Sequence, residues 1–231
     1  MTVESFTSPA DRPKPSHPRR RQPFGGHVAV TVANLQKDYQ KRRSGAVAAM
    51  ARLRAAAGSP PGDRYDVLAE TQVPEKYLED QPGDEPTRTE QAKHTALTLF
   101  ALHQQSSYDQ PMHVDGCSLG AAIGRLSEKV PSPEAVRRRF AALGTATTYN
   151  EAVYHLRGLI PQLRDQKIGF DYGLLADDLV TMQRSDGRER IRAQWGRDYY
   201  RAIRDIDTDT PGVSDRAPHQ VDTIVEYEER S

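Results

Sequence analysis

Apolar side chains recur along this chain at spacings of three and four and almost nowhere in strict alternation, so the pattern predicts helices nearly throughout. Val32, Leu35 and Tyr39 begin the first, and beyond Ser44-Gly45 the positions Ala46, Ala49, Met50 and Leu53 carry a second. Val28 to Val32 alone has strand character, but no second strand run exists for it to pair with. Gly58-Ser59-Pro60-Pro61-Gly62 ends this pair of helices. From 63 to 88 the chain is acidic and punctuated by proline, with isolated anchors at Tyr65, Leu68, Val73, Tyr77 and Leu78; one or two short helices within loop are expected. Thr89-Glu90 opens a strong helix in which Ala92, Ala96, Leu99, Phe100 and His103 share a face, the expected centre of the core. After a polar loop over 104–115, Ser118 caps a short helix with Leu119, Ala122, Ile123 and Leu126, ended by Pro131.

The stretch from Pro133 to Arg204 continues the pattern. Ser132-Pro133-Glu134 supplies a cap, a proline at the first helical position and an acid in the first turn, and Gly144 closes the helix. Val136, Phe140 and Leu143 form its apolar stripe. Residues 151–167 turn Val153, Leu156, Leu159, Ile160 and Leu163 inward, with Pro161 expected to kink that helix. Asp171 caps a helix carrying Leu175, Leu179 and Met182. Ser185-Asp186-Gly187 turns the chain into a last helix, where Ile191, Trp195 and Tyr199 repeat every four residues. Trp195 on such a stripe reads as core rather than as a base-stacking platform. The fold class is therefore all-α, a compact multi-helix bundle of roughly eight or nine helices with a basic face.

Arginine makes that face. Arg137, Arg138 and Arg139 are adjacent and cannot all be buried; Arg157 and Arg164 flank the next stripe, and Arg188, Arg190, Arg192, Arg197 and Arg201 occupy the outer faces of the last helix. Lys37, Lys41, Arg42, Arg43, Arg52 and Arg54 give the first two helices a second cationic face. A single arginine of this kind is more often a solvated surface residue beside an acid. The repeated choice of arginine over lysine favours its planar, five-donor fork, which suits phosphate.

The 231 residues carry no net charge, yet the charge is segregated: +8 over 1–60, −6 over 61–132, +4 over 133–204 and −6 over 205–231. Residues 1–27, with five prolines and Arg19-Arg20-Arg21, read as a disordered basic arm; 28–204 form the helical body; 205–231 read as a disordered acidic tail. No apolar run approaches the roughly 18 residues a membrane span needs. The single cysteine, Cys117, excludes an internal disulfide and fits a reducing cytoplasm, the expected location.

Catalytic candidates are few. His113-Val114-Asp115-Gly116-Cys117 brings a thiol near an imidazole and a carboxylate, but a lone cysteine beside a helix cap is more often a packing residue. Glu90 and His94 lie one turn apart without further metal ligands, and Asp177-Asp178 reads as a hydrated helix face rather than a two-metal site. No catalytic residue, metal site or cofactor is expected.

Gly116-Cys117-Ser118-Leu119-Gly120, Arg137-Arg138-Arg139-Phe140, His155-Leu156-Arg157-Gly158-Leu159, Phe170-Asp171-Tyr172 with Leu175-Ala176-Asp177-Asp178-Leu179, and Arg188-Glu189-Arg190-Ile191-Arg192 through Trp195-Gly196-Arg197-Asp198-Tyr199-Tyr200 occur in that order. Together they resemble the CasB small-subunit family of the type I-E CRISPR surveillance complex, Cascade, from about Asn34 to Arg201. The resemblance implies an all-helical, non-catalytic subunit present as two stacked copies. Its partners would be the backbone and large subunits, guide RNA, and target and displaced single-stranded DNA, with no membrane; its role would be to stabilise the R-loop. By position Arg52, Arg88, Arg138, Arg157 and Arg188 match basic positions of the family. Arg43, Arg137 and Arg192 join them from the two cationic faces, and Arg125 follows one turn after Ala121, where the family often has arginine. Two other readings remain at this stage: an all-α sequence-specific DNA regulator, and a helical metal-dependent hydrolase.

Overall fold

The computed structural model describes residues 19–79 and 83–209, with side chains to residue 205. Among these residues nine α-helices follow one another: α1 (Pro23–Gln40), α2 (Ser44–Ala55), α3 (Leu68–Thr71), α4 (Arg88–His103), α5 (Leu119–Lys129), α6 (Pro133–Thr145), α7 (Tyr149–Asp165), α8 (Tyr172–Met182) and α9 (Gly187–Asp209). Two three-residue 3₁₀ turns, Tyr65–Val67 and Glu75–Tyr77, complete the acidic region. Extended pairing is limited to isolated bridges such as that of His113 with Phe170, which ties the 111–117 loop to the start of α8.

Helix α4 is the centre of the core, and it is buried on nearly every side. Ala92, Ala96, Leu99, Phe100 and His103 are inward as their spacing predicts, but Lys93, His94, Thr95 and Thr98 are buried too. Threonines inside a helix can bond their own preceding turn, and Thr98 does so with the His94 carbonyl at 2.9 Å. Lys93 donates to the Gln72 carbonyl at 2.5 Å and stands 3.1 Å from His27 Nε2; burial holds its pKa down at about 8. Thr87 and Glu90 form a reciprocal capping box at the start of α4. Helix α8 packs between α1 and α4, α7 and α2 flank α4, and α6 joins α7 to α5.

Helices α5 and α9 make the closest crossing. Gly124 lies so near α9 that an added Cβ would sit 2.6 Å from the Tyr199 carbonyl oxygen, and one on Gly120 would collide with the Trp195 carbonyl. Small residues on α5 thus let the Ile191, Trp195, Tyr199 stripe sink against it, leaving these side chains 5%, 1% and 1% exposed. Ser118 caps α5 by accepting from Ala121 N–H at 3.3 Å. Ser132 occupies the cap position of α6 without a side-chain bond, and α7 runs on through Pro161 to Asp165.

The arm ends earlier than the composition suggests. Residues 19–27 belong to the folded body, and Val28 to Val32 lies within α1 rather than in a strand, with Val28, Ala29 and Val32 buried. Local β-branched character yields here because no strand partner exists, whereas α8 offers an apolar surface. At the other end α9 extends to Asp209, into the expected acidic tail. The expected arm over 1–18 and the tail beyond 209 lie outside the described residues.

Candidate nucleic-acid interface

Three carboxylates at and within α8 organise the N-terminal segment. Asp171 caps α8, accepting from Gly173 N–H at 2.9 Å and Leu174 N–H at 3.0 Å, and it also takes Arg21 Nε at 2.9 Å and Gly116 N–H at 2.8 Å. Asp177 caps α1 from outside it, accepting from Gln22 N–H at 2.7 Å and Gly25 N–H at 2.9 Å. Asp178 receives two bonds from Arg19, one of 3.0 Å, and the Trp195 indole N–H at 2.7 Å. Burial pushes the Asp177 carboxyl up to about 6 despite its two backbone donors, and pushes Asp178 up against the opposing pull of Arg19 and Trp195. The Asp177-Asp178 pair is therefore not a hydrated face. It is a buried node of caps and ion pairs, and each oxygen that might have held a metal is already engaged.

The other enzyme-like groups are spent in the same way. Cys117 is buried and burial raises its thiol pKa, with Arg125 Nη1 at 3.2 Å. His113 Nδ1 accepts from Tyr172 N–H at 3.1 Å, and burial lowers its pKa, so the ring is neutral with its proton on Nε2. Glu90 serves the α4 capping box, and His94 is buried, with its pKa lowered by desolvation. Among the described residues no three His, Cys, Asp or Glu side chains gather into a metal site, and no helix is long and apolar enough to cross a membrane.

The arginines sort by what they touch. On the first cationic face most are engaged within the chain: Arg43 pairs with Asp38 at 3.0 Å, Arg42 stacks over Tyr108 at 4.0 Å, and Arg52 pairs with Glu70 at 2.9 Å while donating to the Asp66 carbonyl at 2.7 Å. Arg88 lies 3.5 Å from Glu79. Arg137 reaches Glu134 at 3.3 Å on an exposed rim, and Arg192, half-buried, donates to the Ala146 carbonyl. Arg125 is exposed apart from its contact with Cys117. Arg138 and Arg157 are exposed and form no ion pair among the described residues, and Arg188 is half-buried and likewise unpaired. The Arg157 guanidinium lies across Gly58, whose φ of +101° a side chain would strain, at the edge of an open cleft of about 490 Å³ that includes Tyr149 and Gln91. Arg137 and Arg192 line one smaller cavity together. Sequence spacing did not single out Arg19 and Arg21, whose acidic partners, Asp178 for the first and Asp171 and Asp115 for the second, lie 94 to 159 residues away.

Residues 49–200 match the family model of the CRISPR-associated protein Cse2. The chain belongs to the Cse2 family. Crystal structures agree: CasB from Thermobifida fusca is 34% identical, with a TM-score of 0.66 over 78% of this chain and 99% of that one. A Cse2-family CRISPR-associated protein from Thermus thermophilus is 24% identical, with a TM-score of 0.57 over 77% of this chain and 98% of that one. A chain of a CRISPR RNA-guided surveillance complex shares the fold at 19% identity and a TM-score of 0.61, over 81% of this chain and 99% of that one. No curated protein matches. The motifs that suggested the CasB resemblance thus lie in a true Cse2 domain, and the all-α bundle is its fold.

Proposed function

We propose that this Cse2-family chain is the non-catalytic small subunit of a type I-E CRISPR surveillance complex, holding guide and target backbones and stabilising the R-loop. The observation that carries this is the 34% identity to CasB across 99% of that protein. The side chains support it from two directions. Every candidate catalytic group is buried, capping a helix or bound to a neighbour, whereas Arg138 and Arg157 remain exposed and unpaired among the described residues. In RNA-guided complexes base pairing reads the sequence, so such a subunit needs only dispersed contacts to phosphate.

The energetics are sufficient. R-loop formation is nearly balanced, so about 2 kcal/mol of backbone contact shifts the open population some thirtyfold. Alone, the subunit binds weakly and without sequence preference; in the assembly, neighbouring subunits and a second copy of the chain present the strand at high local concentration. The test is binding of the purified chain to unrelated single-stranded and duplex oligonucleotides across a salt series. If about five single-strand phosphates are neutralised, log K falls with log salt at a slope near −3.5, roughly a hundredfold loss between 50 and 200 mM. Salt-insensitive binding, or binding confined to one sequence, would overturn the proposal and favour a regulator.

A further inference from the structure

Beside α6 and α9 lies a cavity of about 220 Å³ that phosphate contacts alone leave without a purpose. Phe140, Trp195, Tyr199 and Tyr200 wall it, and Arg137 and Arg192 stand at it; no acid lines it. Phe140 and Tyr199 stack with centroids 5.1 Å apart, and Tyr200 meets Tyr199 edge-on at 5.1 Å while remaining 60% exposed. Trp195 spends its N–H on Asp178 and, 1% exposed, lies behind the wall of the cavity, where it can report on a guest. Arg192 Nε is buried without a hydrogen-bond partner, and the Tyr199 hydroxyl, on a residue 1% exposed, is sealed from the cavity. That hydroxyl faces Arg137 and raises its guanidinium pKa, chiefly by hydrogen bonding.

Aromatic walls and cations without a lining acid specify a flat guest that carries an anion. We infer that this cavity takes one unstacked base of a single nucleic-acid strand. The base lies against the Phe140 and Tyr200 rings, and the adjoining phosphate lies on Arg137. An apolar protein side chain would cover the rings but leave Arg137 and Arg192 without an anion. A bare carboxylate would meet the arginines and leave the rings empty. The volume lies below the roughly 300–1,000 Å³ of pockets for drug-sized ligands, so it admits a single ring system. Every base has a π-face, so such a site is indifferent to sequence, as a subunit on a guided R-loop must be. The exposed Arg137–Glu134 pair is weak and yields readily to a phosphate.

This base site presupposes the backbone binding proposed above, and one experiment separates the two. The full chain is titrated with oligothymidylate and with an equally long, wholly abasic sugar-phosphate strand across a salt series. Anisotropy gives affinity, and emission of Trp195, the single tryptophan of the chain, reports the cavity. Oligothymidylate should alter Trp195 emission and the abasic strand should not. Tyr200→Ala should weaken oligothymidylate binding about tenfold, leave the abasic strand and the salt slope unchanged, and be rescued by Tyr200→Phe. Equal affinity for both strands, with the salt slope intact and Tyr200→Ala silent, would overturn the base site and leave backbone binding standing. Loss of salt-dependent binding to both strands would overturn backbone binding itself. A Trp195 change on assembly with protein subunits alone, without one on oligothymidylate, would assign the cavity to a protein side chain and overturn the base site.

Discussion

Trp195 donates its indole N–H to Asp178 at 2.7 Å, and the same carboxylate takes Arg19 from the far end of the chain. One buried acid thus fixes α9, α8 and the N-terminal segment at once. Asp178→Ala strands a buried indole N–H and leaves the part-buried Arg19 guanidinium without its partner, so it should cost about 1–3 kcal/mol in urea unfolding. Asp178→Asn keeps an acceptor for Trp195 and should cost less; equal losses for the two variants would show that a neutral acceptor contributes nothing and that the carboxylate charge carries the whole effect.

The α5–α9 crossing sets opposite signs for two similar substitutions. Gly120→Ala forces a methyl into the Trp195 carbonyl, backbone that cannot step aside, and should destabilise by about 1–3 kcal/mol. Gly158→Ala, inside α7 with nothing within 4 Å of the added carbon, should stabilise by about 0.5–1 kcal/mol. Denaturant midpoints that move in the same direction for both would refute the crossing geometry.

Acid should unfold the protein through its histidines. Burial lowers the His103 pKa from 6.5 to about 3, its Nδ1 lying 3.0 Å from the Tyr172 hydroxyl. Above pH 6.5 both states are neutral there. Below it the unfolded chain takes a proton that the native ring refuses, so stability falls as pH drops from 6.5 towards 3, by on the order of 4 kcal/mol in full. His94 and His113 are lowered by burial as well and add to the fall. Asp177, raised to about 6, acts oppositely: between pH 6 and 3.8 the native state holds the extra proton, so acidification favours folding there. Urea unfolding from pH 7 to 4 should show a net loss, flattened in His103→Gln; an unchanged slope in that variant would count against a neutral His103.

Arginines that look alike in the sequence should separate by experiment. Arg138→Glu with Arg157→Glu should leave stability within about 0.5 kcal/mol and reduce the single-strand salt slope by about 1.4, the share of two phosphates. Arg52→Ala releases Glu70 and the Asp66 carbonyl and should cost about 1 kcal/mol of stability. A double reversal that leaves oligonucleotide binding and its salt slope intact would remove Arg138 and Arg157 from the interface.

The helices themselves were legible because each carries its own signals. The Ile191, Trp195, Tyr199 stripe and the Ser118 and Asp171 caps are local and appear as spaced, whereas α4 is capped by Thr87 rather than opened by Thr89-Glu90, with Glu90 completing the capping box. Asp177 and Asp178 were not legible, because apart from Trp195 what they bind lies 152 to 159 residues away and no periodicity records a cap supplied from another helix. The same limit hid the end of the arm: composition shows that residues 19–22 are polar, but not that four acids, Asp115, Asp171, Asp177 and Asp178, await them. Among the arginines, residue type indicated phosphate chemistry, yet only the fold shows that Arg52 is engaged by Glu70, 18 residues on, while Arg138 stays unpaired among the described residues.

The distant capping of α1 also has a consequence for how the protein is made. Its first helix is made early, and Asp115, one partner of Arg21, follows, but the carboxylates that satisfy Gln22, Gly25 and Arg19 and complete the pairing of Arg21 are translated only when Asp171, Asp177 and Asp178 emerge. Until then the nascent segment lacks most of its acids and has an apolar α1 face without α8, so it cannot be sealed before α8 is made.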